Sequence, residues 1–166
     1  MTRRWILGAI LLTLATPASA DSCDALLAAH DKELHTPHRY DNKITRDDRV
    51  ELELTEISVN GRRFVKTSSP VRLEGWQVHP WDPDREAEAY RKASARNEPD
   101  CHADGTDTID GEPVDIVTSM NANGFTTHTW ISRATGLPVK EESEPHESQT
   151  SHSTYSYKDI TAPDTN

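Results

Sequence analysis

Basic side chains are scarce. Eighteen Lys and Arg stand against 28 Asp and Glu, a formal charge of −10 over 166 residues. That excess repels phosphate backbones and acidic lipid surfaces, and no Lys/Arg cluster interleaved with aromatics offsets it locally, so nucleic acid is not an expected partner. Cysteine is limited to two residues, Cys23 and Cys101, leaving no Cys-x-x-Cys redox motif and no close-spaced zinc-ligand pattern. The few glycines form no phosphate-cradling loop. Beyond residue 20 there is no long apolar run, and the aliphatic residues come in short alternating groups. A thin core, or a sheet with one wet face, follows from that pattern.

The one apolar run lies at the start. Arg3 and Arg4 precede Trp5-Ile6-Leu7-Gly8-Ala9-Ile10-Leu11-Leu12, and Ala18-Ser19-Ala20 closes the segment, the three parts of a secretory signal peptide. The stretch is too short to span a bilayer stably. Residues 1–20 therefore read as a leader, residues 21–163 as one domain and residues 164–166 as a disordered tail, in a periplasmic or secreted protein without stable membrane insertion after cleavage. Cys23 stands behind Asp21 and Ser22, so it is not placed as a lipoprotein acceptor. In an oxidising compartment an isolated pair is most simply a disulfide, which would pin the amino-terminal segment to the body.

Asp21 to about Leu34 carries apolar side chains at helical spacing, and Pro37 ends it. From Arg49 to Val59 the sequence alternates as a strand with a bulge or late twist. Asn60-Gly61 is a strong hairpin signal, with a returning strand over 62–67. Gly75-Trp76-Gln77-Val78 fits a short strand, and 84–96 a helix whose stripe of alanines and Tyr90 should lie against something flat. Asp110-Gly111, Asn123-Gly124 and Thr135-Gly136 then punctuate strands over 112–120, 125–133, 137–142 and 151–160. Residues 141–149 read as a polar loop, and the chain after Ile160 as a frayed end. The order predicts an α+β fold: a curved antiparallel sheet in a meander, with helices over its concave face and a wet convex face.

Gly75-Trp76, Cys101, Asp110-Gly111-Glu112-Pro113, Thr129-Trp130-Ile131-Ser132, Thr135-Gly136-Leu137-Pro138-Val139-Lys140, Tyr155-Ser156-Tyr157 and Ala162-Pro163 together resemble exported proteins related to the periplasmic lipoprotein carriers and outer-membrane lipoprotein-sorting factors. The resemblance covers most of the chain after residue 20, and the Trp-Ile-Ser and Thr-Gly-Leu-Pro stretches are its distinctive part. It implies a half-barrel with helices plugging the hollow, used in that superfamily to hold acyl chains or other hydrophobic molecules.

Nothing in the sequence assembles a catalytic or metal site. The eight histidines include His35-x-x-His38, His128, His146 and His152, but no His-Glu-x-x-His run occurs, and they read as surface groups. Pairing of strands could bring His128 and His152 together. Glu141-Glu142 and Asp47-Asp48 read as solvated faces, and Ser132 and Ser153 stand outside any nucleophile elbow. No enzyme activity and no cofactor are expected. Trp76, Trp81 and Trp130 are the aromatic candidates for ligand contact. Leu52, Leu54, Trp76, Ile116, Trp130 and Tyr155 form the candidate lining of a pocket, since the inner face of a half-barrel is both core and cavity. The expected partner is a hydrophobic small molecule or an apolar segment of an envelope protein. The alternative is an interaction accessory working through its acidic surface or a sheet edge.

Overall fold

The computed structural model describes residues 21–73, 75–97, 100–146 and 148–165, so the leader expected over residues 1–20 lies outside the described residues. Helix α1 spans Asp21–Leu34. Its buried stripe is Ser22, Leu26, Ala29, His30 and Glu33, at the spacing of one helical face but with more polar than apolar members. The helix closes where the Thr36 hydroxyl donates to the Lys32 carbonyl at 2.7 Å, and Pro37 cannot continue it. Helix α2, Pro83–Asn97, starts as its sequence prescribes: Asp82 accepts the Arg85 amide on its side chain, with proline in the first turn. No helix among the described residues is long and apolar enough to cross a membrane.

Among the described residues ten strands make one antiparallel sheet: β1 His38–Arg46, β2 Arg49–Val59, β3 Arg62–Ser69, β4 Arg72–Leu73, β5 Gln77–Pro80, β6 Asp100–Ile109, β7 Glu112–Met120, β8 Thr126–Ser132, β9 Pro138–His146 and β10 Gln149–Ser156. Their order is β4-β3-β2-β1-β10-β9-β8-β7-β6, with β5 also on β3. The α+β class and the carboxyl-terminal meander are as expected, and three details differ. β1 joins the two halves of the sheet, yet its sequence HRYDNKITR has too few apolar residues to announce a strand. β6 adds a fifth strand to the meander, at its edge. Residues 141–146, expected in a polar loop, continue β9, because register against β10 and β8 satisfies their backbone whatever their polarity.

Asn60 and Gly61 form the β2–β3 turn with φ of 54° and 68°, the left-handed pair of a type I′ turn. Gly61→Ala meets open space but must hold that backbone with a Cβ, and is expected to cost about 1 kcal/mol in thermal unfolding.

Side-chain alternation separates the faces. On the helix side, Leu26 and Ala29 pack with Cys101, Val117 and Ile131, and Cys23 is bonded to Cys101 with Cα atoms 5.2 Å apart. On the other side, Ile57, Val59 and Phe64 pack with Trp76 and Ile160. The second face is therefore not simply wet: the chain beyond β10 turns back and covers part of it. α1 packs on β6, β7 and β9, whereas α2 lies against α1 and not flat on the sheet, tied by Arg91 to Asp31 at 2.6 Å and by His35 to Asp84 at 3.1 Å.

Candidate functional site

Under α1 the hollow of the sheet holds charge. His30, aimed inward from the helix stripe, donates from Nε2 to Glu141 Oε1 on β9 at 3.2 Å and from Nδ1 to Glu33 Oε2 at 3.1 Å. Glu33 Oε1 lies 3.2 Å from His38 Nε2 on β1, and His38 Nδ1 donates to the Thr36 carbonyl at 2.8 Å. Glu141 also accepts from the Tyr155 hydroxyl at 2.8 Å and the Thr129 hydroxyl at 3.2 Å. The Tyr90 ring of α2 closes over His30 at 4.7 Å. Beyond, Tyr40 and Asn42 bond to Ser153 across the β1–β10 pair.

Burial alone would strip the proton from His30, but the hydrogen bonds to Glu141 and Glu33 and their charges outweigh it and raise its pKa to about 9. Burial likewise works against the Glu141 charge, yet His30 and the two hydroxyl donors hold its pKa below the ordinary carboxylate value. Burial, reinforced by the two carboxylates, pushes the Tyr155 phenol well above its ordinary value. The hollow thus holds an imidazolium clamped between two carboxylates, with neutral phenols around it. Among the described residues no group of three or more His, Cys, Asp or Glu side chains is arranged to hold a metal ion.

Two expectations are corrected here. His38 is only 1% exposed and His30 is buried, so these histidines are not surface groups, and Glu141 faces the hollow while Glu142 faces the other way with Lys140 and His152. Strand alternation explains Glu141, Glu142 and His38, and the buried helical stripe of α1 explains His30. His128 and His152 stay on separate strands with Glu142 of β9 between them. His30 and Glu33 were legible in one respect, since they share the helical stripe of Leu26 and Ala29.

The six lining candidates fall into two sets. Leu52 and Leu54 face the helix side on β2, opposite Ile44 and Asn42 of β1, and Tyr155 stands in the charged hollow. On the other face, Ile116 pairs with Trp130, the Lys140 ammonium sits 4.3 Å over the Trp130 ring, and Trp76 belongs to the Phe64 cluster. Trp81 carries the Arg63 guanidinium 3.7 Å over its ring.

No family model matches the chain, and no curated protein matches its sequence. Solved structures do match. A chain of the Pseudomonas aeruginosa MucA/MucB complex aligns with a TM-score of 0.53 at 14% identity, over 86% of this chain and 59% of that one. A crystal structure of MucB aligns at 0.48 with 17% identity, over 89% and 62%. A LolA-superfamily protein from Nitrosomonas europaea aligns at 0.35 with 10% identity, over 81% and 91%. The chain thus spans about three fifths of the MucB-type chains it matches. At these identities the likeness is one of fold: an open antiparallel half-barrel with helices in its hollow, as the resemblance to lipoprotein-carrier proteins implied.

Proposed function

We propose that this is an exported, non-enzymatic binding protein of the cell envelope, which holds an apolar segment of a protein client on the part of its concave face that the helices leave open. The observation that carries this reading is the charged cluster around His30. It fills the centre of the hollow with ionised and hydrogen-bonded groups, an environment hostile to an acyl chain. The apolar surface that remains is Ile44, Leu52, Leu54 and Val65, half-buried on β1 to β3, away from the strands on which α1 packs. Leu52 and Leu54 are the contact residues in this reading. The MucA/MucB complex, whose chain shares the fold, supports a protein client.

Leu54→Asp is expected to lower site-specific cross-linking of a client from envelope extracts about tenfold, the scale of one buried leucine, while added dodecanoate leaves the melting temperature unchanged. A dodecanoate-induced rise in melting temperature that Leu54→Asp abolishes would instead favour a lipid ligand. The alternative interaction reading has its own support in β6, an edge strand with Asp104 and Asp107 exposed. Client capture lost in high salt and untouched by Leu54→Asp would favour that edge.

A further inference from the structure

β9 and β10 pair only as far as Lys140 opposite Thr154. Past that point the strands stop pairing, and a hollow of about 450 Å³ opens at the end of the sheet, within the size range of small-ligand sites. Its floor is apolar. Val114 is fully buried, Leu137 is buried, and Val139 is the extra residue where β9 slips its register against β8.

The walls carry opposite charges, and the strand order fixes which charge stands where. On the β6–β7 side are Asp110 and Glu112, and on the β9–β10 side are Lys140 and Lys158. Asp110 and Lys158 are exposed and have no ionic partner among the described residues. Glu112 accepts from the Ser132 hydroxyl, and Lys140 is shared with Glu142 at 2.7 Å. Only β8 lies between β7, which carries Glu112, and β9, which carries Lys140, so those two strands are about two strand spacings apart, roughly 10 Å. Three residues of extended chain span about that length.

We propose that this cleft binds a short apolar peptide of about three residues with free termini, its ammonium toward Asp110 and Glu112, its carboxylate toward Lys158 and Lys140, and an apolar side chain on Val114, Leu137 and Val139. The peptide is recognised as a zwitterion. This site goes beyond the client surface on β1 to β3 and does not depend on it.

Titration calorimetry of the full exported chain with trivaline tests the assignment directly. Saturable binding is expected, weakened about tenfold when both peptide termini are capped and by a similar factor in Lys158→Gln, on the scale of a charge-assisted hydrogen bond. Asp110 has a φ of 51°, a conformation asparagine tolerates, so Asp110→Asn keeps the turn and is expected to weaken binding as well. No saturable heat at millimolar trivaline, equal heats for free and capped peptide, or binding unchanged in both variants would overturn the proposal. Because this readout involves no client and neither Leu52 nor Leu54, its failure leaves the client reading standing.

Discussion

Glu141→Ala is expected to destabilise the protein by about 3–5 kcal/mol in urea unfolding at neutral pH, because it removes one partner of a buried ion pair and strands the other. His30 would keep Glu33 but lose the carboxylate on the sheet, while the Tyr155 and Thr129 hydroxyls lose their acceptor. Glu141→Gln is the informative companion, since it keeps an acceptor oxygen and deletes only charge; an intermediate loss is expected. The pH dependence carries the same signature. A histidine raised from 6.5 to about 9 on folding contributes stability that is complete below pH 6.5 and disappears as pH rises through 9, worth about 3 kcal/mol at most. The parent should therefore lose stability between pH 6.5 and 9, and Glu141→Gln should lose much less over that interval. Equal slopes for the two proteins would mean that His30 is not held as an imidazolium by Glu141.

The parts of the fold legible in the sequence were those with local chemistry. Asn60-Gly61 specifies its turn because few other residues adopt that backbone, and α1 and α2 announce themselves through caps and prolines. β1 was illegible because its position is fixed by partners on both sides and not by its own pattern: Asn42 and Tyr40 are held by hydrogen bonds to Ser153, where a sequence reading looks for aliphatic residues. The continuation of β9 through residues 141–146 was hidden for the same reason. Glu141 and Glu142 look like one solvated pair in one dimension, and strand alternation sends one into the hollow and the other out. The candidate site was half legible. The Cys23–Cys101 link was identified from sequence, and Leu52, Leu54 and Tyr155 were named there as candidates, whereas the network that makes the hollow polar depends on His30 of α1 meeting Glu141, more than a hundred positions away, and no spacing rule reports that.

Removing the cross-link with Cys23→Ser and Cys101→Ser together is expected to cost about 4 kcal/mol, since the bond closes a loop with a sequence separation of 78 and restricts the unfolded chain accordingly. The loss should not be uniform across the fold. α1 contributes Leu26 and Ala29 to its apolar cluster, with Cys23 packed against them, so its docking depends on the disulfide near its first turn and on the His30 clamp near its last. Amide exchange in α1 should accelerate far more than in β7 and β8, whose ladders are internal to the sheet. Both tethers act on one helix, so their effects should couple. Adding Glu141→Ala to the cysteine-free protein should cost less than it does in the parent, by about 1 kcal/mol or more, because a helix already undocked for part of the time has less to lose. Strict additivity in that double-mutant cycle would show that the clamp and the cross-link stabilise different units, and that α1 is held in the hollow by its apolar contacts after all.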